Sequence, residues 1–528
     1  MNKGISRLAA LALCLCLLLG MVGAVDYTQA VDGGTLKLSD SVTLQTGVIA
    51  GTGKKGQAQT VRENVLEYSA EKDVRPIVAY GSTLYGRSSM KQTATWLDDN
   101  DLTLVAGVNG AFFDMNNGIP YGLVVTDGIL RSSGSIASVG FFSDGSAIIG
   151  TPELKVTLET RDGAETEVFY NKALSRSNGI GLYSRDYDTA TKGSVDAYHV
   201  ILEPIRGSGT QLGLNDSITL EVIGTLEKKA VCGIPEDGFV LSIAENTIYA
   251  SALERMKALE VGDRVTITTS TSDDWADVQY ACGGGDMLVD GGRVCSDFTL
   301  DKADKPTART AVGLKRDGTL VLYTADNGSG SSGLTLDELA VRMRELECVT
   351  ALNLDGGGST ALGAQYPGYD SAATVNKPSD GSLRPCANFI YLVRSKPTRT
   401  GGATKLYLYP YNATVLPGTA IQLTAKAADR NYGATDVPDD ITYSASSGDV
   451  DKDGVFTAGE RAGTATIRAK ADGASGEVTV RVIDEPTDLT LRKKDAAKAL
   501  DGAVLAGGSK TELAVDALYY GLTVSAQA

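Results

Sequence analysis

The sequence predicts an α+β protein, in which a mixed, β-rich domain with a few helices is followed by an all-β sandwich. Strand-like apolar runs dominate residues 61–397, with a few helices, among them segments 92–100 and 335–347. Residues 403–484 instead alternate apolar and polar side chains, as sandwich strands do. The 61 glycines and the 42% hydrophobic residues of the 528-residue chain fit a turn-rich β protein.

The first 24 residues predict an export signal. Lys3 and Arg7 precede an apolar run at residues 8–22, and a small-residue cleavage site ends at Ala24. A membrane anchor is the alternative, although the run is short for a bilayer span. We therefore expect a secreted or cell-surface protein with no transmembrane anchor in the mature chain. Cleavage would change the net charge from −16 to −18, which disfavours nucleic acid as a partner.

Three boundaries divide the rest of the chain. Residues 25–60 are polar and rich in Gly and Thr, and we predict an N-terminal extension with one or two strands. Residues 61–397 form the predicted main domain. A linker of Pro, Thr, Arg and Gly follows at residues 396–402.

The C-terminal part begins after this linker. Residues 403–484 resemble a bacterial immunoglobulin-like domain, on the evidence of segments 416–418, 454–458 and 462–467. Residues 485–528 start a further β module, which is marginal for an independent core at this length. We expect either that this module is incomplete or that it packs on its neighbour.

The cysteines and the single histidine limit the chemistry. Five cysteines follow the predicted signal, so at least one thiol is unpaired within the chain. Two disulfides are possible, Cys282 with Cys295 and Cys348 with Cys386. His199 lies in a strand-like run and is predicted to be structural. A single histidine excludes a His-based metal site and a Ser-His-Asp triad, and we predict neither metal nor cofactor.

One segment matches a calcium-loop pattern. Asp449, Asp451, Asp453, Gly454 and Glu460 have the spacing of that loop. The flanking residues are strand-like rather than helical, so we predict a turn between two sandwich strands.

The most informative segment joins a predicted strand to a triple glycine. The strand at residues 349–354 includes Asn353 and is followed by Asp355, Gly356, Gly357 and Gly358. Successive amides in such a turn can form a concave anion site. Ser359 could also cap a short helix whose positive end faces the same place. The simpler alternative is a tight strand-to-helix turn.

A helix is predicted directly before this strand, so that an α-to-β unit leads to Asp355. Leu336, Leu339 and Met343 recur at helical spacing. Thr335 and Glu338 have the spacing of a capping box.

Five other polar residues stand near the ends of predicted strands. Asn109 and Asp114 follow an apolar run, and Asp114 supplies a second carboxylate. Arg309 opens a short apolar strand, where a guanidinium can fork onto a phosphate. Asp326 ends the next strand, and Arg384 precedes the last one.

Together these motifs resemble the phosphodiester glycosidase family over residues 61–397. The motifs that carry the resemblance are Asn109-Gly110-x-Phe112-Phe113, Arg309-Thr310-Ala311-Val312-Gly313, Asn353-Leu354-Asp355-Gly356-Gly357-Gly358-Ser359 and the stretch that ends at Arg384. The resemblance implies cleavage of the bond between an α-linked sugar, with N-acetylglucosamine among the candidates, and the phosphate of a sugar-1-phosphodiester. The implied partner is therefore a sugar phosphate or a phosphate-linked glycan.

The residue types suit this chemistry. The leaving phosphate needs charge neutralisation more than protonation, and the oxocarbenium-like centre needs a nearby carboxylate. The predicted catalytic residues are Asp355, Asp114 and Arg309. The predicted substrate-binding residues are Asn109, Asn353, Gly356, Gly357, Gly358, Ser359, Arg384 and Asp326.

Two alternatives stay open. The enzyme could act on another bond in an exopolysaccharide or cell-wall polymer, with cell-wall association. It could also be a non-catalytic surface protein that binds carbohydrate.

Overall fold

The computed structural model describes residues 26–53, 56–70, 73–328, 330–396, 401–494, 500 and 510–526. The predicted export signal, residues 397–400 of the predicted linker and part of the C-terminal tail lie outside these ranges. Within them, none of the helices has the length and apolar character needed to cross a membrane.

Three α-helices lie in the described part of the chain: α1 Met90–Asp99, α2 Ala250–Lys257 and α3 Leu336–Glu345. The helices predicted at 92–100 and 335–347 are confirmed as α1 and α3, whereas α2 was not predicted. Thr335 Oγ1 accepts a hydrogen bond from Glu338 N at 3.2 Å, and Glu338 Oε2 accepts one from Thr335 N at 2.8 Å. The predicted capping box is therefore confirmed.

Strands form most of the remaining structure. The first nine are β1 Asp26–Lys37, β2 Val42–Thr52, β3 Ala58–Tyr68, β4 Arg75–Tyr80, β5 Leu102–Asn109, β6 Val124–Thr126, β7 Ile129–Ser132, β8 Ser138–Phe141 and β9 Ala147–Gly150. The next seven are β10 Lys155–Glu159, β11 Glu165–Tyr170, β12 Ile180–Tyr183, β13 Ala197–Pro204, β14 Ser217–Lys229, β15 Phe239–Ala244 and β16 Arg264–Ser270.

The chain then returns to the first part of the molecule and completes it. The strands here are β17 Tyr280–Gly283, β18 Met287–Asp290, β19 Arg293–Val294, β20 Arg309–Lys315, β21 Leu320–Ala325, β22 Cys348–Leu354, β23 Leu362–Ala364, β24 Ala373–Thr374 and β25 Asn388–Ser395. The C-terminal strands are β26 Lys405–Tyr409, β27 Thr414–Val415, β28 Ala420–Gln422, β29 Thr424–Ala428, β30 Ala434–Thr435, β31 Thr442–Ala445, β32 Asp449–Val450, β33 Val455–Thr457, β34 Gly463–Ala471, β35 Ala474–Val482, β36 Asp488–Lys493, β37 Leu513–Tyr519 and β38 Leu522–Ser525.

Two sheets frame the region of interest. One has eight strands in the order β1-β2-β3-β21-β20-β22-β18-β19, and the other has five in the order β24-β23-β5-β25-β4. Leu322 and Leu352 of the first share a core with Val108 and Ile390 of the second. The opposite face of the eight-stranded sheet packs on α3. Strands β1 and β2 lie in the predicted N-terminal extension. Strand β1 forms one edge of this sheet, and β2 pairs with β1 and β3.

A closed sheet of seven strands, β10–β16, is inserted between β9 and β17 of another five-stranded sheet. It has its own apolar core. His199 lies in this closed sheet, where Nδ1 contacts Ser242 Oγ and Nε2 contacts Lys229 O, both at 2.8 Å. Both ring nitrogens have structural partners, as predicted for a structural histidine.

The C-terminal part consists of a ten-stranded and a three-stranded sheet. The tail packs on its neighbour, since β38 pairs in parallel with β27 through Thr414 and Val524. The predicted turn is confirmed between β32 and β33, where Asp451 Oδ1 accepts the amides of Asp453 and Val455. The immunoglobulin-like assignment itself stays a prediction.

Both considered disulfides are wrong, because all five described cysteines are free thiols. Cys348 begins β22, whereas the Cys386 thiol contacts the Ser359 carbonyl, beyond the other end of that strand. A seven-residue strand spans roughly 20 Å, and a disulfide requires Cα atoms within about 7 Å.

Candidate functional site

Asp355 stands where the ends of two sheets meet. It follows β22 of the eight-stranded sheet, and its amide donates to the Gly110 carbonyl at 3.1 Å, just after β5 of the five-stranded sheet. Gly110 N in turn donates to Asn388 O at 2.9 Å. The glycine turn and the Asn109-Gly110 motif, far apart in sequence, are therefore in direct contact.

Asn109 fixes the backbone at Asp355. Its side chain is fully buried, and Nδ2 donates to the Asp355 carbonyl at 2.7 Å. Its Oδ1 accepts hydrogen bonds from Thr310 Oγ1 at 2.8 Å and from Ala361 N at 3.0 Å. One amide side chain thus joins β5, β20 and the glycine turn. This contact supports positioning of Asp355 by Asn109 rather than direct contact with the sugar.

The Asp355 carboxyl is poorly solvated. Burial raises its pKa from the ordinary 3.8 to about 6. The Ser359 hydroxyl, the Gly356 amide and the positive charge of Arg384 oppose this rise without cancelling it. A carboxyl with a raised pKa beside a guanidinium is typical of a catalytic position.

The glycine turn differs from the predicted anion site. Gly356 N donates to Asp355 Oδ1 at 3.0 Å, and Gly357 N donates to Ala308 O at 2.7 Å. Two of the three predicted phosphate donors are therefore already used inside the protein. Ser359 does not cap a helix, because it belongs to a 3-10 turn, Gly357–Ser359, whose N-cap is Gly356.

Gly358 lies against the guanidinium of Arg384, and its lack of a side chain leaves room for that group. A Cβ at Gly358 would lie 2.0 Å from Arg384 Nη2 and 2.2 Å from Asp380 Oδ2. The guanidinium is oriented by Asp380, whose Oδ2 accepts from Nε at 3.0 Å and from Nη2 at 2.7 Å. The segment of residues 376–386, which we call the arginine segment, therefore brings Arg384 to the side of Asp355.

Gly358→Ala is expected to lower kcat/KM clearly, with only a small loss in the free energy of unfolding. The new methyl group displaces the guanidinium, which is the flexible end of a side chain, and we expect about a tenfold loss of kcat/KM. Gly357 gives the matched variant, since a Cβ there meets nothing within 4 Å but the residue has φ +61°. Gly357→Ala should lose roughly 1–2 kcal/mol of stability with a smaller loss of turnover. Urea unfolding measures the stability of the two variants, and steady-state kinetics measure their kcat/KM. Equal losses of kcat/KM in the two variants would contradict the role of Gly358 in leaving room for Arg384.

The Asp114 carboxylate accepts hydrogen bonds from residues of its own loop. Its Oδ1 accepts from Asn116 N at 2.8 Å and its Oδ2 from Asn117 Nδ2 at 2.9 Å. We call residues 114–118 the acidic loop. Burial, Asp114 and Asp355 together raise the pKa of the exposed Tyr121, so this phenol lies within electrostatic range of both carboxylates. The structure thus places Asp114 beside the site, with its oxygens bound to the acidic loop.

The predicted phosphate contact of Arg309 is not what the structure shows. Its side chain is buried, and the guanidinium donates to the carbonyls of Leu334, Lys302 and Lys305 at 2.8–3.0 Å. Successive side chains of a strand point to opposite faces. Thr310 faces Asn109, so Arg309 faces away from it. Burial lowers the pKa of Arg309 to about 10.

Asp326 is also a structural residue here. It is 2% exposed, and its Oδ2 accepts from the Lys377 amide at 3.1 Å and from Arg62 Nε at 3.5 Å. Burial raises its pKa. Asp326 therefore holds the start of the arginine segment, and the predicted substrate contact is not supported.

Asn353 is the remaining predicted site residue. It is fully buried, and among the described residues neither atom of its side-chain amide has a hydrogen-bond partner. A Cβ at Gly285 would lie 3.3 Å from Nδ2 and 2.8 Å from Phe112 Cε2. Asn353 thus lies on β22, two residues before Asp355, and no side-chain hydrogen bond to a described residue indicates its role.

Sequence reasoning missed three residues at this site: Arg87, Tyr121 and Cys386. The Cys386 thiol contacts the Arg384 carbonyl at 3.3 Å, and Arg87 is near enough for its charge to act on the pKa of this thiol. None of the three belongs to a motif with recognisable spacing, so the sequence carried no signal for them. Within the described ranges, no group of three His, Cys, Asp or Glu side chains could hold a metal ion.

Comparisons with known proteins indicate a family. The model of the phosphodiester glycosidase family matches residues 211–393. The N-acetylglucosamine-1-phosphodiester alpha-N-acetylglucosaminidase of Mus musculus is 51% identical over 56 residues, which are 11% of this chain and 11% of that protein. The chain thus aligns with about a tenth of the length of this curated relative.

Two solved structures share the fold. A protein from Synechocystis has 20% identity and a TM-score of 0.54, over 68% of this chain and 63% of its own. A protein from Burkholderia pseudomallei K96243 has 14% identity and a TM-score of 0.53, over 70% of this chain and 99% of its own. At these identities the likeness shows the fold alone.

Proposed function

The chain belongs to the phosphodiester glycosidase family, and from this premise we propose that it hydrolyses the bond between an α-linked sugar and the phosphate of a sugar-1-phosphodiester. One observation carries the proposal. The Asp355 carboxyl, whose pKa is raised, lies beside Arg384, and the backbone of Asp355 is held by Asn109 and Gly110.

In this reaction a nucleophile must reach the anomeric carbon. Asp355 either attacks that carbon, in which case water then breaks the bond formed between Asp355 and the sugar, or takes a proton from the water that attacks the carbon directly. The bond between the carbon and the phosphate oxygen breaks, and its electron pair stays on that oxygen. Water supplies a hydroxyl to the sugar and a proton to the solution, so the products are a free sugar and a phosphomonoester.

The leaving phosphate is a stable anion, so the site needs no strong general acid. It needs positive charge, and Arg384 provides this in an orientation fixed by Asp380. A charge-assisted hydrogen bond to the phosphate strengthens as negative charge develops there. Arg384, rather than Arg309, is therefore the phosphate contact in this proposal.

We test the reaction with the full chain and methyl diesters of α-sugar 1-phosphates, N-acetylglucosamine first. Free sugar and phosphomonoester should appear in equal amounts. Arg384→Gln should lower kcat/KM by about tenfold or more. Arg461, an exposed arginine of the C-terminal part, gives the control Arg461→Gln with unchanged kinetics.

The outcomes separate the candidate functions. Turnover that survives Arg384→Gln would contradict this site. Saturable sugar binding without turnover would instead favour the carbohydrate-binding alternative. Turnover only on polymeric, phosphate-linked substrates would favour processing of a cell-wall polymer.

We also propose that the protein is exported. The support is the basic and apolar composition of residues 1–24 with its small-residue cleavage site. Expression of the full chain in a secreting bacterial host, followed by N-terminal sequencing of the extracellular product, tests this. A mature product that begins at Val25 is expected, and retention of an uncleaved chain in the cells would contradict export.

A further inference from the structure

Arg87 lies on the loop between β4 and α1, which bridges two parts of the site. Ser88 pairs with Cys386 through two backbone hydrogen bonds of 3.0 Å, at the end of the arginine segment. Gly86 N donates to Asn117 O of the acidic loop at 2.7 Å. Arg87 therefore stands between the acidic loop and the arginine segment, the two segments that flank Asp355.

The side chain of Arg87 is available for a ligand. It is exposed, and among the described residues it makes no hydrogen bond or ion pair. The guanidinium of Arg384 differs, because Asp380 already accepts two of its hydrogen bonds. The positive charge of Arg384 is thus partly neutralised, whereas that of Arg87 is not.

Both arginines affect the pKa of the buried Cys386 thiol. Burial raises its pKa to about 12, and the negative charge of Asp355 adds to the rise. The Ser359 hydroxyl and the charges of Arg384 and Arg87 act in the opposite direction. Both guanidinium groups therefore lie within electrostatic range of one thiol, next to Asp355.

The proposed reaction requires positive charge beside the leaving phosphate. The phosphodiester carries one negative charge, and the phosphomonoester product approaches two near neutral pH. The second charge develops as the bond to the sugar breaks, so a second cation lowers the barrier. Because Asp380 offsets part of the Arg384 charge, Arg384 alone meets this demand incompletely.

We propose that Arg87 and Arg384 form a two-arginine phosphate subsite, in which Arg87 contacts the phosphate of the leaving group and selects charged over neutral aglycones. This inference rests on the proposed function. It assigns to Arg87 the phosphate contact that was predicted for Arg309.

The test compares two substrates of the same sugar, the methyl 1-phosphodiester and the uncharged 4-nitrophenyl α-glycoside. Arg87→Gln should lower kcat/KM about tenfold for the phosphodiester and less than about twofold for the neutral glycoside. Arg461→Gln is the matched control. A second readout is the rise in melting temperature caused by inorganic phosphate, with chloride at equal ionic strength as reference. This rise should be smaller in Arg87→Gln.

Each outcome decides the proposal. Selective loss on the charged substrate, together with a reduced phosphate effect, supports the subsite. Equal losses on both substrates, or none, overturn it. If the wild-type chain cleaves neither substrate, the proposed function fails. The rise in melting temperature caused by inorganic phosphate is then the measurement that tests the subsite. An undiminished melting shift in Arg87→Gln then overturns the subsite.

Discussion

Asp355→Asn is expected to stabilise the folded protein while abolishing its turnover. The pKa of Asp355 is about 6 in the folded chain against an ordinary 3.8, so the folded state binds this proton more tightly than the unfolded state. The stabilising effect of protonation is fully present below pH 4 and is lost as the pH rises to about 6. At pH 8 the ionised, poorly solvated carboxylate thus costs about 3 kcal/mol at most.

Asparagine removes that cost and keeps an Oδ1 acceptor for the Gly356 amide. Urea unfolding should therefore show a more stable variant at pH 8 and nearly equal stabilities at pH 4. Asp114→Asn is the comparison, because the Asp114 carboxylate accepts hydrogen bonds from Asn116 and Asn117. It should lose stability at pH 8. If Asp355→Asn also lost stability at pH 8, burial would not be the cause of the raised pKa.

The kinetic half of this prediction has the opposite sign. Asp355 acts as nucleophile or base only when ionised, so wild-type kcat/KM should rise with pH and level off above about 6. Asp355→Asn should lower kcat on the order of 10³-fold or more. Turnover by this variant close to the wild-type value would remove Asp355 from the mechanism. Gain of stability with loss of activity is the expected result for a group held ionised at a poorly solvated catalytic position.

The elements that the sequence predicts well are those fixed by local interactions. The capping box of α3 needs only Thr335 and Glu338, three residues apart, and the predicted helix was found. The turn between β32 and β33 depends on Asp451 and its own neighbours in the same way. The closed sheet β10–β16 depends on which strands pair across long sequence separations, and strand patterns alone do not determine such pairing.

The site shows the same division. Proximity of Asp355 to the Asn109 motif was expected because the motifs occur together, and the structure brings them into contact. The face toward which Arg309 points could not be inferred, because shifting a strand by one residue exchanges its two faces. Arg87 is exposed and belongs to no motif, so its position is revealed only by the backbone hydrogen bonds of its neighbours, Gly86 with Asn117 and Ser88 with Cys386.

Asn109→Asp should be strongly destabilising, because a carboxylate cannot donate to the Asp355 carbonyl. In the wild type Nδ2 makes this bond at 2.7 Å, and the side chain is fully buried. The variant keeps an acceptor for Thr310 and Ala361 but sets two oxygens against each other. We expect a loss of about 3 kcal/mol or more at neutral pH, from the lost donor and the buried charge together.

Asn388→Asp is the matched control. Asn388 is equally buried, its Oδ1 accepts the Ala111 amide at 2.8 Å, and its Nδ2 has no partner among the described residues. Both variants bury a new carboxylate, so the difference between their unfolding free energies isolates the bond to Asp355. That difference should be about 1–3 kcal/mol. Asn109→Asp should also lower kcat more than Asn388→Asp, because only Asn109 fixes the backbone that carries the Asp355 carboxyl. Equal effects of the two variants on stability and kcat would show that the Asn109 contact does not position Asp355.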